Sequence, residues 1–278
     1  MTLVAVWLFE PDRIHAIADT RIGESLGNVY TDHGPKILPI TMVCRQPGPH
    51  GGPFNHETFR YEFGFAFAGS TLAALSTHAF ANIVCSNLGG LRSTPPPTMD
   101  EVANAISDIS QAYVREIGQR TGSAFSAILF GFCPRTGQAL AFEIRFRPDG
   151  SRIELELEKH VLNNEVVLII GNKPEILRKE IDQIRSSAAA ETDLHGIIYA
   201  DAPIRALQSV IGQQAIPSVG GSIQQAWSRP GKLEIVATAT PLVPQPSSTR
   251  NAGMFVLGFD IYDMRPIGDY EVILMGRA

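Results

Sequence analysis

Residues 1–36, MTLVAVWLFEPDRIHAIADTRIGESLGNVYTDHGPK, decide the reading of this chain. Leu3 to Phe9 is a short, largely apolar run bounded by the turn-like Glu10-Pro11-Asp12-Arg13. A second apolar run, Ile14 to Ala18, ends in Asp19-Thr20-Arg21, so the stretch predicts a β-hairpin. If Glu10 stands opposite Arg13, Val4 stands opposite Asp19 and Thr2 opposite Arg21. Side chains alternate along a strand, so Thr2 and Asp19 then share a face as diagonal neighbours roughly 7–8 Å apart. A one-residue slip of register would send them to opposite faces. Lys36 is expected to return towards them from a loop.

Chemistry at residue 2 depends on the amine as much as on the hydroxyl. If Met1 is trimmed, Thr2 carries an α-amine whose ordinary pKa of about 7.7–8.0 makes it a base near neutrality. A threonine hydroxyl is a weak nucleophile that an adjacent amine can activate. A lysine ammonium favours the neutral amine and a developing alkoxide, and a carboxylate such as Asp19 would keep that lysine charged and oriented. Taken singly, Thr2, Asp19 and Lys36 also read as a strand start, a turn former and a surface charge.

In order and spacing, however, the chain resembles the proteasome-type N-terminal nucleophile (Ntn) hydrolases, the proteasome β-subunits and their bacterial relatives. The residues that carry the resemblance are Thr2, Asp19 within Ala18-Asp19-Thr20-Arg21, Lys36 within Pro35-Lys36-Ile37, and Ala68-Gly69-Ser70. The resemblance implies Thr2 as nucleophile, Asp19 and Lys36 as its charged partners, and the Gly69 N–H as oxyanion donor. A helix start suits that donor, because its unpaired N–H groups and dipole favour negative charge. It further implies that Arg21 supports the site and that Ile22, Phe67 and Thr71 flank a cleft narrowed by Phe67. Core packing is the equal alternative for those three. Two departures stand out. The segment between Lys36 and Ala68 is long, with a Pro- and Gly-rich loop near residues 45–60. The region 214–221, Gln-Ala-Ile-Pro-Ser-Val-Gly-Gly, lacks the aspartate that often supports the amine, leaving Ser218 and Asn172 as candidate substitutes.

Composition bounds the alternatives. With 278 residues, 44% hydrophobic and 18% charged, the chain is globular and long enough for a substantial core. A net charge of −5 without a basic block argues against nucleic acid as a partner. Three scattered cysteines form no CxxC pair, which favours a reducing compartment, and no run has membrane-spanning length. The expected location is the cytoplasm. No glycine phosphate loop, zinc spacing or Ser-His-Asp order is recognisable, so no cofactor or metal is expected. His50, His56 and His78 are read as solvated or packed.

Beyond the hairpin, a strand over 36–44 containing Pro39 should be an edge or carry a bulge, since proline cannot donate to a ladder. An aromatic strand over 61–68 leads into a helix from Ser70 to about Leu88, closed by Gly89-Gly90. Thr98-Met99-Asp100-Glu101 has capping-box form and opens a second helix with Val102, Ile106, Ile109, Tyr113 and Ile117 on one stripe. Strands are expected over 123–133, 140–146, 153–160 and 166–170, then helices from Pro174 and after Asp201-Ala202-Pro203. Strands around 223–227, 233–238, 254–262 and 270–275 finish the chain, interrupted by a Pro- and Ser-rich loop near 240–252. This order predicts an α+β fold, a single domain over 1–278 with insertions near 45–60 and 240–252. It is also the four-layer αββα sandwich of the resembled family.

The function expected is a threonine-type peptidase or amidohydrolase acting on a peptide or unfolded protein. By resemblance it would assemble as a homo-oligomeric ring, with an ATP-driven unfoldase as a candidate partner. The alternatives are a catalytically inactive proteasome-like scaffold subunit and an amidase for a small amide.

Overall fold

The computed structural model describes residues 2–23, 28–48, 52–91, 93–116, 124–149, 152–188, 195–241, 252–257, 259–260 and 276–277. In chain order the first elements are β1 (Leu3–Glu10), β2 (Arg13–Asp19), β3 (Ile22–Gly23), β4 (Val29–Thr31), β5 (Ile37–Gln46), β6 (His56–Gly69), α1 (Thr71–Cys85), β7 (Leu88–Gly89) and α2 (Met99–Glu116). There follow β8 (Phe125–Phe132), β9 (Ala139–Asp149), β10 (Arg152–Val161), β11 (Val167–Gly171), α3 (Pro174–Ala188) and α4 (His195–Gly212). The last are β12 (Ile223–Arg229), β13 (Lys232–Pro241), β14 (Ala252–Val256), β15 (Phe259–Asp260) and β16 (Gly276–Arg277).

The result is a mixed α+β fold with two main sheets. One runs β11-β1-β2-β12-β13-β14-β15, with β16 alongside β13; the other runs β10-β9-β8-β6-β5-β7. β1 lies between β11 and β2 and is buried on both faces, which explains its unbroken apolar run. Its residues alternate between two cores. Val4 and Val6 pack with Ile128 and Phe130 of the other sheet, whereas Leu3, Ala5 and Trp7 pack with Leu177 and Ile181 of α3 and Leu207 of α4. The Trp7 indole N–H also donates to the Ala200 carbonyl at 3.0 Å. Each fully buried side chain of this size contributes about 1.5–3 kcal/mol of apolar transfer. On the far side of the second sheet, Phe63, Phe65 and Phe67 pack with Ala73 and Ala81 of α1 and Ile106 of α2.

Local signals account for several boundaries. Ser70 caps α1, its hydroxyl accepting from the Ala73 N–H. Before α2 the Thr98 N–H donates to Glu101 at 2.6 Å and the Glu101 N–H donates to the Thr98 hydroxyl at 3.2 Å, a closed capping box. Among the described residues β5 pairs with β6 along its length and with β7 only at Cys44 and Arg45. Beside Pro39 its outer side meets side chains of α1 instead of a strand, His78 Nε2 lying 2.7 Å from the Pro39 carbonyl oxygen and Asn82 accepting the Thr41 N–H at 2.8 Å.

Three expectations change. α1 ends at Cys85, because Leu88-Gly89 leave it to pair with β5, where the Gly90 N–H meets the Arg45 carbonyl. α4 begins before Pro203 and carries it inside, rather than starting after it. The long segment between Lys36 and Ala68 is mostly a longer hairpin, β5 reaching Gln46 and β6 starting at His56. His50, Ile117, most of the 240–252 loop and the expected strand over 270–275 lie outside the described residues.

Candidate functional site

The β1–β2 hairpin carries the first half of the site, in a register other than the expected one. Glu10 does pair with Arg13, but a bulge between Leu8 and Glu10 shifts everything beyond it, so Val4 stands opposite Ala18. Continuing that register puts Asp19 level with Leu3, and alternation then sets Thr2 on the Val4 side of the sheet. Thr2 and Asp19 therefore lie on opposite faces of the sheet, not on the shared face expected.

Backbone donors hold Asp19 instead. Its Oδ1 accepts the Leu3 N–H at 2.8 Å, and Oδ2 accepts the N–H groups of Gly220 at 3.1 Å and Arg21 at 3.2 Å. Asp19 is entirely buried, and that burial pushes its carboxyl up to about 6. The Leu3 N–H, the Lys36 charge and the Gly220 and Arg21 N–H groups oppose the rise.

Lys36 enters from the other sheet, one residue before β5, and its Nζ donates to the Thr2 hydroxyl at 2.5 Å. Thr2 is 0% exposed and Lys36 1%, so this contact excludes water. Burial pulls the Lys36 ammonium below its usual range, with Asp19 opposing. The Phe67 ring lies beneath the ammonium, 5.7 Å from Nζ to its centroid.

Thr2 is also fixed from its backbone, since the Asn172 N–H donates to its carbonyl at 2.9 Å. The Asn172 amide donates in turn to the Ser218 hydroxyl at 2.9 Å, so the two candidate substitutes meet each other. Arg21 points into a separate buttress. Its guanidinium makes a two-pronged pair with Asp32, at 2.7 and 3.1 Å, and reaches the Pro217 carbonyl at 3.2 Å. That pair holds the Asp32 carboxyl below its usual range and raises Arg21. Gly220 packs flat on this guanidinium, and the Arg21 N–H donates to the Gly220 carbonyl.

Thr2 and Gly69 line one cavity of ≈ 180 Å³, with Ala68, Ala124, Phe125, Ser126, Phe146 and Gly171. Gly69 has φ +107°, and a Cβ there would stand 2.9 Å from the Ala124 carbonyl oxygen, so only glycine fits. Ile22, Phe67 and Thr71 are not among the lining residues. Ile22 packs on Gly34, Phe67 belongs to the core under α1 and α2, and Thr71 is the first residue of α1.

Two further residues belong to the site without being expected from the sequence: Gln224, which grips the backbone at Lys36, and Asp32, which holds Arg21. The Gln224-Gln225 pair, flanked by Ile223 and Ala226-Trp227 in a strand, was the available signal for the first. Among the described residues, Glu143, Glu158 and His160 could converge on a cation. Arg145 already binds both oxygens of Glu143, so that carboxylate is engaged by a guanidinium. No helix among the described residues is long and apolar enough to cross a membrane.

No family model matches the chain, and no curated protein matches it. Solved structures do. Anbu (ancestral beta-subunit) from Yersinia bercovieri superposes with a TM-score of 0.53 at 15% identity, covering 84% of this chain and 82% of that one. Anbu from Hyphomicrobium sp. strain MC1 gives 0.53 at 18% identity, covering 84% of each chain. The helical assembly of the Anbu complex from Pseudomonas aeruginosa gives 0.53 at 12% identity, covering 83% of this chain and 82% of that one. These likenesses establish a shared fold. They also correct the expected membership in the proteasome-type Ntn-hydrolase family: the structural neighbours are Anbu proteins, proteasome-like but a distinct family, and no family model supports the Ntn assignment.

Proposed function

We propose that this chain hydrolyses amide bonds through Thr2, in a peptide or a smaller amide, on an Anbu-like fold. The observation that carries the reading is the buried contact between Lys36 Nζ and Thr2 Oγ, made at the wall of a cavity that Thr2 shares with Gly69. A buried ammonium on a hydroxyl stabilises negative charge developing on that oxygen far more than it would in water.

Mechanism follows from these positions. Once the bond between Met1 and Thr2 is cleaved, the Thr2 amine takes the hydroxyl proton as Oγ attacks the substrate carbonyl carbon. Lys36 stabilises the oxygen anion, and Asp19 keeps Lys36 charged. The Gly69 backbone serves the tetrahedral oxyanion. The protonated amine then donates to the leaving nitrogen, leaving an ester on Thr2. Water, deprotonated by the same amine, releases the acid and restores the hydroxyl. Asn172 and Ser218 fix the Thr2 backbone, and Arg21 with Asp32 fixes the turn carrying Asp19. Substrate enters by the cavity rather than past Ile22, Phe67 and Thr71.

The full burial of Thr2 favours a second reading, a catalytically silent subunit that keeps the scaffold for assembly. For either reading we propose self-assembly of identical chains in the cytoplasm, on one four-layer αββα domain. The helical assembly of one Anbu neighbour and the three free cysteines support the first two points.

Intact mass and an electrophilic amide-like inhibitor separate the two. The hydrolase reading expects loss of Met1 and one covalent adduct at Thr2, abolished in Thr2→Ala together with at least a thousand-fold of any turnover. Retention of Met1, with no adduct, would establish the silent subunit.

A further inference from the structure

One amide side chain spans the two sheets at the site. Gln224 lies on β12 and, by alternation, on the same side as Ala226, which faces the core between the sheets. It is 4% exposed. Its Oε1 accepts the N–H of Lys36 at 2.7 Å and the N–H of Ile37 at 2.9 Å, while its Nε2 donates to the Ile37 carbonyl at 2.7 Å. The Lys36 carbonyl is taken by the Phe67 N–H at 3.0 Å. The backbone at 36–37 is thus held on one side by β6 and on the other by a single side chain that imitates a neighbouring strand.

We propose that Gln224 is the positioning residue for the Lys36 ammonium, setting where Nζ meets the Thr2 hydroxyl. This deepens the hydrolase reading above and rests on it for its catalytic consequence. The chemistry selects glutamine. The contact needs an acceptor serving two N–H groups and a donor serving one carbonyl, in a buried place where a net charge would be costly. An ionised carboxylate would turn an oxygen onto the Ile37 carbonyl and add an anion beside Lys36. Leucine or methionine would leave two buried N–H groups unpaired.

The test uses the full chain carrying Gln224→Met or Gln224→Glu. Lys36 Nζ is followed by NMR of ¹⁵N-labelled lysine, alongside the pH profile of Thr2-dependent turnover. In Gln224→Met the Lys36 titration is expected to move up towards its ordinary value as the ammonium gains solvent. Turnover is expected to lose at least about tenfold in kcat, with KM changed by less than about twofold. In Gln224→Glu the wild-type Lys36 signal is expected to return as pH falls and the introduced carboxyl takes a proton, because the neutral acid reproduces both contacts. Should Gln224→Met fail to fold, this pH-dependent return decides alone. A lower melting temperature with an unmoved Lys36 titration and an unmoved pH profile overturns the proposal. If wild type shows no Thr2-dependent turnover, the hydrolase reading fails while the NMR arm still decides on Gln224.

Discussion

Lys36 and Thr2 come from different sheets and meet at 2.5 Å, Nζ to Oγ, with both side chains out of water. Lys36 immediately precedes β5 and Thr2 immediately precedes β1, each the second strand from one end of its sheet. Any drift between the sheets would therefore separate the pair, so the core between them, with Val4, Ile37 and Ala66, sets the site's geometry.

Removing the ammonium should show in two places. Lys36→Met is expected to cost about a hundred- to a thousand-fold in turnover, the scale of losing one donor to a developing oxyanion. It should also raise the Asp19 titration above about 6, since the Lys36 charge is one of the influences holding it down. Titrating the stability of the variant against wild type measures the second effect. A Lys36→Met protein with wild-type turnover would remove Lys36 from the chemistry.

Asp19 itself gives a pH signature. Its ordinary value is 3.8 and burial raises it to about 6, so between those values the folded chain holds a proton that the unfolded chain has released. Stability from this group is therefore fully present below about pH 4 and is lost as pH rises through about 6, by on the order of 3 kcal/mol. Turnover runs the other way, rising through about pH 6 as the carboxylate forms behind Lys36. Urea unfolding of wild type and Asp19→Asn from pH 4 to 7 isolates the effect. Wild type should lose stability relative to the variant across that window, and a flat difference would contradict the assignment.

How much of this was legible beforehand depends on the range of the forces involved. The apolar run of β1, the Thr98–Glu101 box and the edge placement of Pro39 are local, and each is realised. The hairpin register was not local. Phe9, at the bulge, stacks on His15 at 4.1 Å, and the Arg13 guanidinium lies over the rings of both Phe9 and Trp227. Trp227 belongs to β12, far along the chain, so nothing in the first thirty-six residues announces the shift. Asp19 still serves the site because its partners are backbone N–H groups, one of them at Gly220. Gln224 hid for a related reason. Alternation places a glutamine on a strand face, and only the opposing sheet shows that unpaired N–H groups wait there.

Gly171 gives the sharpest steric test of the site. It has φ +122°, and a Cβ there would fall 1.8 Å from the Thr2 carbonyl oxygen. That oxygen belongs to backbone already held by the Asn172 N–H, so it cannot yield as a flexible side chain would. Gly137 supplies the control, with φ +70° and nothing within 4 Å of the same added atom. Gly137→Ala should therefore report the conformational cost alone, about 1 kcal/mol. Gly171→Ala should lose roughly 3 kcal/mol or more, and its turnover should fall further than its stability predicts because Thr2 is displaced from Lys36. At about 2–4 °C of melting temperature per kcal/mol for a chain of this size, thermal unfolding of the two variants resolves the difference. Equal losses in the two would show that Thr2 does not sit against Gly171.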